Sequence, residues 1–248
     1  VMVTYQKTEK ILFSADAFGS FGAVDGNIFA DEIDDKVAWL SEARRYYTNI
    51  VGKFGMSVQG LLKKAAGLEI RMICPLHSLV WRKDLDWLLE KYSRWSSYEP
   101  EEKTMLIAYA SVYGNTENAA NILACRLREQ GVQVEMFDTS VTPASYILAA
   151  AFRFSHVVLA APTYNGGVFV TMENLLHDLT AHGLKGRRAA YIENGSWAPT
   201  SARGMQKLLE PLNWETAADT VTLRSALRQG QQEDLERMAA QLAESVKA

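Results

Sequence analysis

Cysteine is scarce in this chain of 248 residues: Cys74 and Cys125 lie far apart and form no C-x-x-C pair. That argues against a disulfide framework and a thiolate zinc site, and it favours a reducing, cytoplasmic setting. Histidine is also sparse. His77, His156, His177 and His182 leave little material for a histidine-rich metal centre. No Lys/Arg-rich tract occurs and the formal net charge is -3, so nothing points to a nucleic-acid surface. No apolar run approaches the length of a membrane-crossing helix, and the first residues do not form a signal peptide. The chain opens on Val1-Met2-Val3-Thr4-Tyr5, already strand-like. Apolar residues are plentiful, at 48% against 22% charged, enough for one large domain or two of ordinary size.

From residue 105 onward, strand and helix patterns alternate. Residues 105–111 form an apolar strand, and 116–130 a helix closed by Gly131. A strand at 132–138 alternates in polarity, and a short helix at 143–152 leads to the strand 156–161. A helix at 169–182, a strand at 188–193, a helix at 201–212, a strand at 219–224 and a helix from about 231 follow. Five strands with intervening helices predict an α/β doubly wound parallel sheet. The polar segment Tyr92 to Lys103, with Pro100 inside it, reads as a connection between two regions, narrowest at 99–103. The predicted organisation is thus 1–98, a linker at 99–103, and 104–248.

The first region has a different pattern. Residues 2–5 and 11–14 flank a polar turn as a hairpin, followed by a loop rich in Gly and Asp. Val37, Leu40, Tyr47, Ile50, Val51 and Phe54 recur at helical spacing. A strand at 70–74 and a helix marked by Leu85, Leu88 and Leu89 close the region, a thin core for a free-standing domain.

The most informative segment is Ser111-Val112-Tyr113-Gly114-Asn115-Thr116-Glu117, directly after the first strand of the alternating half. A strand ending on a glycine turn and a helix N-terminus presents backbone N–H groups and a positive dipole end, an anion cradle. It has no lysine and so lacks the element that grips the outer phosphates of a nucleoside triphosphate. Hydroxyls and amides alone suit a phosphate monoester such as that of FMN. An ordinary strand-to-helix turn is the alternative. In a 2-1-3-4-5 strand order this loop would face Pro162-Thr163-Tyr164-Asn165-Gly166-Gly167, with Asn194-Gly195-Ser196-Trp197 beside both. Paired glycines admit a flat ligand, and Tyr164 and Trp197 offer rings to border it. Read separately, these are turn glycines and packing aromatics.

Ser-Val-Tyr-Gly-Asn-Thr-Glu and Ala-Pro-Thr-Tyr-Asn-Gly-Gly resemble the FMN loops of the flavodiiron proteins (A-type flavoproteins). Leu12-Phe13-Ser14-Ala15-Asp16-Ala17-Phe18-Gly19 resembles that family's bridging-aspartate segment. Ile73-Cys74-Pro75-Leu76-His77 with Trp81-Arg82 resembles the segment of its last histidine ligand. The resemblance implies a flavodoxin-like FMN domain preceded by an incomplete metallo-β-lactamase-like segment. It further implies Asp16 and His77 as iron-ligand positions, electrons arriving from rubredoxin or another donor, and reduction of dioxygen or nitric oxide. A head-to-tail homodimer is implied as well.

The family's His-x-Glu-x-Asp-His motif does not occur in this chain, and Ser78 stands where the family commonly has glycine. Two ligands cannot enclose two irons, so a diiron centre is expected only if the missing N-terminal ligands are supplied. The expectation is a fragment of a longer protein. One half of a split pair, or a truncated form that kept the flavin domain, are the alternatives. Two other functions stand beside the electron-transfer flavoprotein: a flavodoxin-like reductase serving a quinone or other small acceptor, and a non-catalytic interaction subunit. His156, His177 and His182 read as solvated or capping, and Asp31-Glu32-Ile33-Asp34-Asp35 as an acidic lead into a helix.

Overall fold

The computed structural model describes residues 2–34 and 36–248. The strand-like reading of Val1 and the place of Asp35 in the acidic lead fall outside the described residues. The chain divides into two units, 1–99 and 100–248.

In the second unit, strands β4 (Glu102–Tyr109), β5 (Val134–Asp138), β6 (Phe154–Tyr164), β8 (Arg188–Asn194) and β10 (Val221–Leu223) are separated by helices α4 to α7. The helices are α4 (Asn115–Glu129), α5 (Ala144–Arg153), α6 (Val170–His182) and α7 (Ser201–Leu209), and α8 (Gln229–Lys247) closes the unit. The strands lie in the order β10-β8-β6-β4-β5, all parallel, which is the predicted 2-1-3-4-5 arrangement. Two short strands attach at its margins: β7 (Gly167–Val168) antiparallel to β6, and β9 (Glu215–Thr216) parallel to β8. Met105 to Ala108 are buried without a break, as expected of a central strand covered by helices on both faces. Met105 and Ile107 pack in one cluster with Ala120, Leu123, Leu235 and Leu242 of α4 and α8.

Two buried basic side chains hold the amino ends of the strands. Arg187, enclosed just before β8, donates to the carbonyls of Ala151 (2.7 Å), Phe152 (2.6 Å), Lys185 (2.9 Å) and Gly186 (3.2 Å). Burial pushes its guanidinium down to about 9. His156 is not solvated, contrary to expectation. It is 3% exposed in the central strand β6. Its Nδ1 meets Ser155 Oγ at 2.7 Å and its Nε2 meets Ser245 Oγ at 3.0 Å. Burial first, then Arg188 and Lys103, lower its pKa to about 4. The unfolded chain binds this proton near pH 6.5, so protonation favours unfolding between those values. Stability present above pH 6.5 is therefore expected to fall by on the order of 2–3 kcal/mol as pH drops toward 4. His156→Gln should flatten that slope in melts taken across the range. Parallel curves for the two proteins would remove His156 from the account.

The first unit has a three-stranded sheet of β1 (Thr4–Gln6), β2 (Ile11–Ala15) and β3 (Met72–Pro75), antiparallel then parallel. Helices α1 (Lys36–Tyr46), α2 (Gly55–Ala65) and α3 (Leu85–Ser96) complete it, with a π turn at Tyr47–Val51. Aromatic rings compensate for its small size: Phe18, Tyr47 and Trp95 all lie within 5.5 Å (ring centroids) of Tyr92. Tyr92 and Trp95 are fully buried in α3, so the predicted linker is shorter than Tyr92 to Lys103: its first five residues are helix and its last two belong to β4. A Cβ on Gly55 would run into the Ser96 carbonyl, which explains a glycine at the start of α2. Val37, Ile50 and Phe54 are exposed rather than core: Val37 lies off the face of α1 that buries Trp39 and Ala43, and the π turn shifts the helical phase at Ile50 and Phe54. The acidic lead is engaged elsewhere: Asp31 pairs with Arg82 and Lys83, each at 3.0 Å, and Glu32 with Arg82 at 3.0 Å.

Candidate functional site

Parallel register brings the carboxyl ends of β4, β6 and β8 side by side, with Tyr109 opposite Ala160 and Pro162 opposite Asn194. The chain leaves β4 through Ala110, whose N–H bonds the Ala160 carbonyl at 2.8 Å, and turns at Gly114 with φ +81°. That left-handed conformation is easy only for glycine, and nothing lies within 4 Å of where a Cβ would point. Helix α4 then begins at Asn115 with Gly114 at its N-cap, so no N-cap side chain competes for its first amide N–H groups. Ser111 Oγ is buried and has no hydrogen-bond partner among the described residues. Thr116 is buried, its Oγ1 accepting from Asn194 Nδ2 at 3.4 Å. An orphaned hydroxyl, uncapped amides and open space over Gly114 form the donor set a phosphate monoester requires.

The second predicted loop is largely strand. β6 runs through Tyr164, and Asn165 (φ +49°) and Gly166 (φ +75°) make a two-residue turn into β7. Positive φ at both residues is the hairpin geometry that Asn-Gly favours. Thr163 Oγ1 accepts from the amides of Thr200 (2.8 Å) and Ser201 (3.1 Å), so it fastens the start of α7. Thr200 Oγ1 in turn donates to the Gly166 carbonyl at 3.2 Å. Tyr164 is half exposed, its ring edge-on to Phe169 at 5.6 Å. After β8, a Cβ on Gly195 would press on Pro199, and Trp197 stands 92% exposed. Tyr113 and Val112 are exposed on the first loop. The structure thus gathers all three predicted segments at one sheet edge.

Sequence reasoning missed the segment after β10. Ser225 has φ +62°, its N–H bonds Asn194 Oδ1 at 2.9 Å, and its Oγ meets Ser196 Oγ at 2.9 Å. Arg224 Nη1 reaches the Trp197 carbonyl at 3.4 Å. Asn194 is buried and satisfied by protein groups, which makes it part of the frame.

Asp16 and His77 also come together, Oδ1 to Nε2 at 3.4 Å, at the mouth of a cleft of about 510 Å³ lined by Ser20, Phe21, Tyr46 and Ser78. Backbone strain surrounds the pair: Ala15, Phe18 and Ser78 all have positive φ, and Ser78 at +73° occupies a conformation that glycine adopts freely. Burial, and then Asp16, push the Tyr46 phenol up to about 12. Among the described residues no cluster of three His, Cys, Asp or Glu could hold a metal ion. Two donors do not make a diiron centre, so these residues alone do not fit one.

No family model matches the chain. The nitric oxide reductase of Moorella thermoacetica is 30% identical over 211 residues, covering 84% of this chain and 51% of that protein. The anaerobic nitric oxide reductase flavorubredoxin of Aeromonas hydrophila is 28% identical over 200 residues, 79% of this chain and 40% of the relative. The flavodiiron protein of Giardia intestinalis has the same fold, with a TM-score of 0.92 at 23% identity over 99% of this chain and 60% of that one. The chain belongs to the flavodiiron protein family. It spans about half the length of these curated relatives, 40% and 51%. The likeness in fold to the Giardia intestinalis protein runs through both units. Among the described residues no helix is long and apolar enough to cross a membrane.

Proposed function

We propose that residues 100–248 bind one FMN at the carboxyl ends of β4, β6 and β8 and pass electrons through it. The observation that carries this reading is the buried, unpartnered Ser111 hydroxyl in a lysine-free turn at a helix N-terminus. Ser111 and Thr116 would donate their hydroxyl protons to the phosphate, joined by the first amides of α4. Val112, Tyr113, Gly114 and Asn115 shape that turn. Pro162 to Gly167 and Asn194 to Trp197 give the backbone walls, with Tyr164 and Trp197 bordering the ring. Bound there, FMN would supply one- and two-electron redox chemistry. The protein's part is to fix the ring, exclude water from one face and set the local field.

The first unit is read as the end of a metallo-β-lactamase-like domain, with Asp16 and His77 as two ligands of a metal centre whose other donors lie outside this chain. A rubredoxin-like or other electron donor, a homodimer and a cytoplasmic setting complete the proposal. Titration of flavin-free protein with FMN tests it, and a wild type that binds no FMN would end it. Trp197→Ala is expected to loosen FMN by up to about tenfold, since an aromatic contact contributes on the order of 0.5–1.5 kcal/mol beyond burial. It should also shift the flavin midpoint potential. Unchanged affinity and potential would make Trp197 a surface residue only.

A further inference from the structure

Three segments at this sheet edge, those after β4, β8 and β10, are tied at one side chain. Asn194, 5% exposed at the last position of β8, uses both ends of its amide. Oδ1 accepts from the Ser225 N–H at 2.9 Å, and Nδ2 donates to the Ser225 carbonyl at 3.1 Å and to Thr116 Oγ1 at 3.4 Å. The two bonds to Ser225 fix which end of the amide faces which way, because an N–H must meet the oxygen and a carbonyl must meet the nitrogen. The donor end is therefore the one turned to Thr116. A threonine hydroxyl has a single proton and can accept as well as donate. With its oxygen already taking a bond from Asn194, the proton of Thr116 is left for an acceptor on its other side.

We infer that Asn194 is a positioning residue for anion recognition: anchored by Ser225, it sets the Thr116 hydroxyl as a donor to the ligand's phosphate. The inference rests on the FMN reading and extends it to the segment after β10. Through its two bonds to Asn194, that segment fixes the polarity of a donor on the first loop. The strained φ of +62° at Ser225 belongs to the same arrangement, since it turns both the N–H and the carbonyl of one residue toward one amide.

Asn194→Asp separates this role from plain structural support. The aspartate keeps an acceptor for the Ser225 N–H, but it presents to Thr116 a carboxylate oxygen that accepts the hydroxyl's hydrogen bond, and it places negative charge behind the anion. FMN and riboflavin share the ring and differ by the phosphate, so the ratio of their dissociation constants reads the phosphate contact alone. In the wild type FMN should bind more tightly than riboflavin. In Asn194→Asp that preference is expected to shrink about tenfold or more, with riboflavin affinity nearly unchanged. In a Thr116→Ala background, where there is no hydroxyl to orient, the same substitution should shrink it by much less. Asn194→Ala, which loses the donor without adding charge, provides a second measurement if the aspartate variant does not fold, and its expected effect is in the same direction but smaller. Equal losses for FMN and riboflavin, or an unchanged ratio in both variants, would overturn the inference while leaving FMN binding intact. A wild type that binds neither flavin would overturn both.

Discussion

Ser111→Ala is expected to weaken FMN binding by about ten- to a hundredfold while leaving the flavin-free protein as stable as before, or more so. A hydrogen bond to a charged group contributes roughly 1.5–3 kcal/mol. Without ligand the same hydroxyl is buried and unpartnered, a cost that alanine removes. The two effects have opposite signs, and few structural side chains behave that way. Calorimetric titration for affinity and a thermal melt of the flavin-free protein would show both. If stability and affinity fell together, Ser111 would be a framework residue with a partner that forms in solution.

Arg187→Met should have the largest effect on stability. The guanidinium is buried and serves four carbonyl oxygens at the end of α5 and in the turn leading into β8. Methionine fills much of the volume but leaves those oxygens without a donor, at a cost of roughly 3–5 kcal/mol in total. For a chain of this size that corresponds to a fall of about 10 °C or more in Tm. Urea and thermal melts would measure it, and a change under about 1 kcal/mol would mean that water replaces the arginine without penalty. Arg187→Lys is expected to recover only part of the loss, since one ammonium cannot reach in the several directions of the guanidinium plane.

The alternating half was legible because its central strands are buried on both faces and so appear as short, unbroken apolar runs, while the edge strand β5 alternates in polarity. The 2-1-3-4-5 order expected of such a pattern places the ends of β4, β6 and β8 together, as found. What stayed hidden had weaker local signals. β10 is three residues long and its exit turns on a serine with positive φ, so nothing marked Ser225 as part of the site. The Asn165–Gly166 pair carries the strongest short hairpin signature, but beside the apolar run it read as an open glycine-rich loop. In the first unit, Tyr92 and Trp95 sit among serines, arginine and glutamate, and a polar average concealed two of its most buried rings. The phase of Ile50 and Phe54 was lost to a single π turn, which no fixed helical period anticipates. His156 could not be placed from its neighbours, because Ser155 and Ser245, the groups that satisfy it, come from its own strand and from a helix 89 residues away.

Thr116 and Asn194 are 78 residues apart, and Asn194 and Ser225 a further 31. The five parallel strands of this sheet are joined by long crossovers, so loop-closure entropy is lost at each crossover before the three segments can meet. The meeting of these segments is therefore expected late on the folding path. A ligand that meets only the finished cradle cannot hasten collapse. It acts afterwards, lowering the unfolding rate and raising the melting temperature with the logarithm of its free concentration.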